Sequence, residues 1–192
     1  MNVEVKVWDW LVRSFHWSLV LGFVVAYLSG ESWEGLHVWA GYFILGLLLV
    51  RMVWGVTGTH YARFSSFMFS PKTVVHYLKG LRKLQARRYL GHSPAGAMMV
   101  FLLLFLLFAT SFSGLAYYAA EDQAGPLVSL FAGMSENRLE MLEEIHEWLA
   151  NLTVLAVVLH IAGVVFSSFL HNENLPRAMV TGMKKQGERE SE

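Results

Sequence analysis

The chain contains no cysteine among its 192 residues. This absence excludes disulfide bonds, thiolate metal ligands, iron–sulfur clusters and the C-x-x-C-H attachment of a c-type haem. Charged residues are also scarce, at 16% of the chain, whereas a typical soluble domain has about 25%. The shortage of charge argues against an ordinary water-soluble domain.

Long apolar segments take the place of the missing charge, and four of them reach the length of about 20 residues that a membrane span needs. Stretches such as LVLGFVVAYL and MMVFLLLFLLFAT lack the polar face that a soluble helical bundle, the alternative, would require. We therefore predict an all-α fold, an integral membrane four-helix bundle in a single domain over residues 1–192. The predicted spans are residues 10–28, 36–56, 94–119 and 145–170.

One shorter helix is predicted between the second and third spans, in the stretch SPKTVVHYLKGLRKLQ. Ser70 is a suitable N-cap, Pro71 suits the first helical position, and apolar residues then recur at helical spacing among basic ones. The pattern predicts an additional amphipathic helix on the inner membrane surface, with a solvated helix as the alternative. The tail, about residues 182–192, is predicted to be disordered.

Basic residues are distributed unevenly about the predicted spans. Fourteen of them fall on one side, and only Arg138 falls on the other. Because basic loops stay inside, we predict a multi-pass protein of the bacterial inner membrane with both termini cytoplasmic and an acidic periplasmic face. The acidic residues of that face are Glu31, Glu34, Glu121, Asp122, Glu136, Glu140, Glu143, Glu144 and Glu147.

Four histidines in or beside the spans sort into two pairs by depth. His146 and His160 are fourteen residues apart, which on a helix places them about 21 Å apart along the axis and within about 40° of the same direction. His37 begins the second span, level with His146. His16 lies about 18 Å below the outer end of the first span, close to the depth of His160.

Paired imidazoles inside apolar helices indicate a bound cofactor, because ionisable groups in a span are costly and mark functional sites. Facing histidines suit the axial positions of a b-type haem in a helical bundle. Zinc would need its ligands in one cluster, and a proton relay would need carboxylates near mid-membrane. We predict that His16 pairs with His160, and His37 with His146, as haem iron ligands. Structural or interfacial roles are predicted for His60, His76, His92 and His171.

Several stretches resemble bacterial cytochrome b-561 and the cytochrome b subunit of nickel–iron hydrogenases. They are VWDWLVRSFHWSLV, RMVWGVTGTHYARF, RYLGHSPAG and LHNENLPRAMVTGMK, and the resemblance covers nearly the whole chain. It implies a four-helix membrane bundle with two haem b groups that exchanges electrons with quinone. Carried over by position, it also implies His16, His37, His146 and His160 as the ligands.

Electron transfer is the expected function, because iron held by two histidines has no open position for substrate. We predict a transmembrane dihaem cytochrome that moves electrons between the quinone pool and a periplasmic redox partner, as a carrier or as a subunit of a quinone-linked oxidoreductase. Arg13, one turn before His16, is predicted to contact a haem propionate or the quinone. Arg87, Arg88 and His92 share that inner surface, and for each of them plain topology and lipid contact are favoured.

The redox partner is open at this point. An acidic outer face suits a basic c-type cytochrome and disfavours a superoxide:quinone oxidoreductase, because superoxide is an anion. A hydrogenase cytochrome b subunit is a further alternative, and a haem-free membrane anchor is the alternative outside redox chemistry. Membrane lipid is an expected partner and nucleic acid is not.

Overall fold

The computed structural model describes residues 4–186, and helices make up most of this part of the chain. The described part contains one 3-10 turn, Phe64–Ser66. In chain order the strands and α-helices are β1 (Glu4–Lys6), α1 (Trp10–Ser29), α2 (Glu34–Thr57), α3 (Pro71–Arg82), α4 (Pro94–Glu121), α5 (Val128–Phe131), α6 (Glu136–Leu170), α7 (Leu175–Thr181) and β2 (Met183–Lys185). The predicted all-α membrane fold is confirmed, with α1, α2, α4 and α6 as the helices long and apolar enough to span.

The spanning helices leave most of their apolar surface uncovered by protein. Only 11% to 22% of the most apolar stretch of each helix is buried, and Phe105 and Phe169 are 67% and 81% exposed. Apolar surface on this scale is unfavourable in water. These faces are therefore suited to contact the hydrocarbon of a membrane.

The fourth spanning helix is longer than the predicted span. α6 has 35 residues, so it extends about 52 Å, whereas the hydrocarbon core is about 30 Å thick. It begins at Glu136 rather than near residue 145, because the acidic residues before the apolar run continue the same helix. Its first three turns are mostly exposed and carry Glu136, Glu140, Glu143 and Glu144.

The additional short helix is present as α3. The side chain of Ser70 accepts a hydrogen bond from the backbone N–H of Thr73 at 3.2 Å, and Pro71 is the first helical residue. These two features end the preceding extended segment and start the helix, as the sequence predicted. Its placement at the inner membrane surface stays a prediction.

Contacts within the chain form two compact units. The terminal unit contains Leu49–Phe101 together with the described residues before Leu19 and after Val158. The internal unit contains Leu19–Leu48 and Leu102–Val158. Each spanning helix contributes one part to each unit. The prediction of a single domain stays a prediction.

Two short strands hold the chain ends of the terminal unit together. β1 pairs with β2 in antiparallel register, with Glu4 opposite Lys185. Gly182 precedes β2 with a φ of +81°, and a Cβ there would lie 2.5 Å from the carbonyl oxygen of Trp8. The prediction of a disordered tail from about residue 182 is therefore wrong for Met183–Lys185. The rest of that tail, 187–192, lies outside the described residues.

An ionic network holds the segment between α3 and α4 against the C-terminal segment. Glu173 accepts hydrogen bonds from Arg88 and pairs with the Nζ of Lys184 at 3.0 Å. Lys184 also donates to the backbone carbonyl of Tyr89 at 3.1 Å. The sequence made Arg88 one of the residues that could contact quinone at the inner surface. In the structure, Arg88 is part of this ionic network.

The carboxylate of Asp9 joins the start of α1 to the end of α2. One oxygen accepts from the backbone N–H of Val12 at 2.8 Å. The other accepts from the indole N–H of Trp54 at 3.0 Å and the hydroxyl of Thr59 at 2.6 Å. Burial alone would raise the pKa of Asp9, but these hydrogen bonds outweigh it and hold the pKa below its ordinary value.

We expect Asp9→Ala to lower the free energy of unfolding by roughly 2–3 kcal/mol, because it removes a helix cap and leaves buried donors without acceptors. Thermal unfolding of the detergent-solubilised protein, followed by circular dichroism, measures this change. Asp122→Ala is the matched control, because Asp122 is exposed and its side chain makes no hydrogen bond within residues 4–186. Equal losses in both variants would contradict the assignment.

The same comparison has a pH dependence. A carboxyl whose pKa is lowered by folding contributes its stability above the unfolded-state pKa, and the contribution disappears as the pH falls through the folded-state pKa. The difference between wild type and Asp9→Ala should therefore shrink as the pH drops below the ordinary aspartate value of 3.8.

Candidate functional site

The internal unit brings together His37 and His146, which the sequence predicted as one pair. Their ring centroids are 5.8 Å apart and their planes are nearly perpendicular, at 88°. A metal–imidazole bond is about 2 Å long, so two rings on opposite sides of one metal atom have centroids roughly 6 Å apart. The separation fits a single metal atom between the two rings.

Hydrogen bonds at Nδ1 fix which nitrogen each ring of this pair can offer to a metal. The Nδ1 of His37 lies 2.8 Å from the carbonyl oxygen of Ala26, and that of His146 lies 3.0 Å from the carbonyl oxygen of Thr110. A carbonyl only accepts, so each Nδ1 carries the proton. The Nε2 of each ring is then unprotonated, as a metal ligand must be.

Helix α4 contributes to this pair although it contains no histidine. The hydroxyl of Ser113 lies 3.1 Å from the Nδ1 of His146. A Cβ on Gly114 would lie only 2.8 Å from the Cε1 of His146, so the ring packs directly against the helix backbone. Sequence reasoning missed both residues. The signal was the small and polar TSFSG stretch that interrupts the apolar run of α4.

The second predicted pair, His16 and His160, lies in the terminal unit. The two rings are close enough to interact electrostatically. The Nδ1 of His16 is buried and has no hydrogen-bond partner among residues 4–186. In this part of the chain, unlike the internal pair, no hydrogen bond at Nδ1 fixes which nitrogen of His16 could bind a metal.

Arg13, the predicted contact for a propionate or quinone, points to the C-terminal segment. Its guanidinium donates to the backbone carbonyls of Val180 and Asp9, the latter at 3.3 Å. Gly182 is also adjacent, since a Cβ there would lie 3.3 Å from the Nε of Arg13. The structure thus gives Arg13 a role in holding the chain ends, and its remaining N–H groups are available to another acceptor.

His92, which the sequence assigned a structural role, lies between two aromatic rings of the terminal unit. Its ring is 4.3 Å from that of Phe67 and 4.7 Å from that of Trp8, between centroids. Burial, with Arg51, Lys184 and His160 nearby, lowers the pKa of His92 to about 3. His92 is therefore neutral at physiological pH, and its buried Nδ1 has no partner within the described chain.

The family of this chain is shown by a sequence match that includes all four spanning helices. Residues 7–182 match the family model described as prokaryotic cytochrome b561, which includes all four predicted ligands. The chain belongs to the prokaryotic cytochrome b561 family. With four helices that are long and apolar enough to span, it is a bacterial membrane protein of the b-type cytochrome class.

A curated relative agrees with this assignment. The b561-family chain is 25% identical over 159 residues to a protein named "Probable Ni/Fe-hydrogenase B-type cytochrome subunit" from Cupriavidus necator. The match covers 77% of this chain and 65% of the relative, so the chain spans slightly less than two thirds of that protein's length. No solved structure matches the chain.

The residues of this b561-family chain fit a b-type haem. The imidazole centroids of the internal pair lie 5.8 Å apart, and the hydrogen bonds at Nδ1 leave each Nε2 unprotonated. Two glycines near the predicted ligands have no protein atom packed against them. A Cβ on Gly41, four residues after His37, or on Gly163, three residues after His160, would meet no atom within 4 Å.

We expect Gly114→Ala to weaken haem retention about 10- to 100-fold at the internal pair, the range for changes that displace a metal ligand from outside. The reason is the 2.8 Å approach of the new Cβ to the His146 ring. The ratio of haem to purified protein and the absorption spectrum measure the effect. Gly46→Ala is the control, because its Cβ would meet no atom within 4 Å. Identical spectra for the two variants would contradict the prediction.

Proposed function

We propose that the protein is a transmembrane dihaem b-type cytochrome that transfers electrons between the quinone pool and a periplasmic redox partner. The observation that carries the proposal is the close pair His37 and His146, with both Nδ1 atoms bonded to backbone carbonyls. His16 and His160, in the other unit, are proposed as the second pair of ligands.

The protein's contribution is to hold imidazoles in place rather than to bind a substrate at the metal. When bound, haem supplies one-electron exchange at iron. The carbonyls of Ala26 and Thr110 fix the tautomers and orientations of two rings. Two histidines per iron leave no open position, so the proposed activity is electron transfer alone.

Helix α6 carries one proposed ligand of each pair. His146 and His160 are fourteen residues apart on this helix, and fourteen residues correspond to a helical rise of about 21 Å. We place the His146 side outside and the His160 side inside, because fourteen basic residues flank the inner ends of the spans. Arg13 is proposed as a contact of the inner haem propionate or of the quinone.

A basic periplasmic protein, such as a c-type cytochrome, is the proposed partner of the outer face. Glu136, Glu140 and Glu143 are exposed on the first turns of α6, as are Glu144 and Glu147. These turns precede or flank His146 on the same helix. Opposite charge on a partner would raise the rate of encounter, and salt would screen it. The same carboxylates argue against superoxide as the reactant.

A hydrogenase is the second candidate partner. The name of the relative from Cupriavidus necator describes it as a hydrogenase cytochrome subunit. This chain is 25% identical to that relative and covers 65% of its length. Similarity of this degree supports a hydrogenase as a class of partner but does not identify a particular one. In that case the chain would be one subunit of a quinone-linked oxidoreductase.

We expect the wild-type protein to carry two b haems and His160→Ala to lose one of them, because the variant removes an axial ligand of the inner pair. A pyridine haemochrome assay gives the stoichiometry, and low-temperature spectra resolve the remaining haem. His76→Ala is the control, because His76 is exposed on α3.

A single haem in the wild type would contradict the dihaem proposal, and no haem would favour the membrane anchor. Loss of a haem in His92→Ala with retention in His160→Ala would show that the inner ligand is assigned to the wrong histidine.

We expect a basic c-type cytochrome to be reduced by right-side-out vesicles and not by inverted ones, because the acidic turns of α6 face outward in the proposed topology. Stopped-flow rates should fall as salt is added, and the combined Glu140→Gln, Glu143→Gln and Glu144→Gln substitutions should flatten that dependence. Reduction by inverted vesicles alone would reverse the topology. Rates that respond to neither salt nor the substitutions would exclude this docking surface.

A further inference from the structure

Helix α3 carries a line of basic side chains on one side. Lys72, His76 and Lys79 are exposed and follow one another at intervals of four and three residues. At about 100° per residue, this spacing places them within about 60° of one another around the helix axis. Lys83, the C-cap residue, continues the same line. We call these four residues the basic stripe.

The other side of α3 packs against the protein. Tyr77 is the buried residue of this helix, and its ring lies 5.9 Å from that of Tyr89, between centroids. Val74 and Leu81, about one turn before and after Tyr77, are half-buried. The helix is thus held by this side, and the basic stripe is left exposed.

The basic stripe lies in a segment without acidic residues. Residues 57–93 contain seven Lys and Arg residues and no Asp or Glu. The ammonium groups of Lys72, Lys79 and Lys83 form no ion pair or hydrogen bond within residues 4–186. Lys79 and Lys83 are four residues apart, a spacing at which like charges repel. A bound anion would offset this repulsion, so the stripe favours an anionic ligand.

An open depression of about 420 Å³ lies along the first part of the basic stripe. Lys72, His76 and Lys79 supply its polar groups, and Pro71 and Val75 supply carbon surface. An ammonium group donates up to three hydrogen bonds, and the oxygens of a phosphate ester accept them. The lining therefore suits a phosphate group that is attached to carbon.

Exposed apolar side chains lie beside the basic stripe. On α3, Val75 is 51% exposed and Leu78 is 40% exposed. Met68 and Leu84, before and after the helix, are 70% and 65% exposed. Contact of these side chains with water is unfavourable, and a free phosphate ion would leave them in water. Because the chain has four helices able to span a membrane, lipid carbon chains are an available cover.

We propose that the basic stripe binds the phosphate head group of an anionic phospholipid. Lys72, His76 and Lys79 donate hydrogen bonds to the phosphate, and Val75 and Leu78 contact the carbon chains. Basic helices attract anionic lipids through the same combination of charge and buried carbon. The proposal adds a lipid site to the predicted placement of α3 at the inner surface. It is independent of haem ligation and of the redox partner.

Native mass spectrometry of the detergent-solubilised holoprotein measures the binding of single lipids. Phosphatidylglycerol should bind more tightly than phosphatidylcholine, whose head group has no net charge. The combined Lys72→Gln, Lys79→Gln and Lys83→Gln substitutions should raise the Kd for phosphatidylglycerol about 10- to 100-fold, because each basic residue near an anionic lipid contributes roughly fivefold. The Kd for phosphatidylcholine should stay unchanged.

A second triple variant is the matched control. Lys6→Gln, Arg63→Gln and Arg177→Gln remove the same charge from exposed positions on the same predicted side of the membrane. The Kd for phosphatidylglycerol should therefore stay near the wild-type value. Haem content and thermal unfolding show that both variants are intact. Equal weakening in the two variants would show a general attraction to net charge and overturn the site.

Two further measurements separate a bound lipid from other occupants. Phosphatidylglycerol with a photoreactive group next to its glycerol should label a peptide within residues 71–83, and labelling confined to other peptides would overturn the proposal. Inorganic phosphate should not compete, because it has no carbon chains. Competition by inorganic phosphate would overturn the lipid as the occupant. Equal affinity of the wild type for the two phospholipids would also overturn it and would favour an acidic protein as the partner of the stripe.

Discussion

Hydrocarbon offers no water to a polar group, so each polar group of a spanning helix must find its partner within the protein. The two histidines of the internal unit meet this requirement through the carbonyls of Ala26 and Thr110. Thr153, which is completely buried, returns its hydroxyl to the carbonyl of Leu149 in its own helix. The bonds that make these side chains tolerable in a membrane also fix how the imidazoles point.

The same requirement governs the terminal unit, where charged groups are buried as well. Asp9 satisfies three donors from two helices and a loop, and Glu173 satisfies two cations. Arg51 differs, since it donates to the carbonyl of Ala62 at 3.0 Å and lies 4.7 Å above the ring of Phe64, but its Nη1 has no hydrogen-bond partner among residues 4–186. Within the same residues, the Nδ1 atoms of His16 and His92 are also buried without a partner.

The sequence predicted the features that follow from helical periodicity and from simple capping rules. The lengths of the apolar segments predicted the four spans. Ser70 and Pro71 predicted the start of α3. The pairing of His37 with His146 is read from depth along straight helices, and the structure brings these two rings together. The depth of a residue along a helix can be calculated from sequence position alone, because each residue adds a fixed rise.

The remaining features depend on contacts between distant parts of the chain. β1 and β2 have three residues each and no periodicity long enough to detect. The approach of Gly114 to His146 depends on how closely two helices pack, which their apolar composition leaves open. His60 and His92 line one cavity of the terminal unit. The sequence treated them as isolated loop residues, because the walls come from two separate segments.

The pairing of β1 with β2 has a consequence for the order of biosynthesis. Glu4 emerges from the ribosome 181 residues before its partner Lys185. All segments of the internal unit are synthesised before Leu159, so they can pack while the N-terminal strand still lacks its partner. Until then Arg13 lacks the backbone carbonyl of Val180, whereas the partners of Asp9 are already present. The terminal unit is thus completed last, by closure of the longest loop in the described chain.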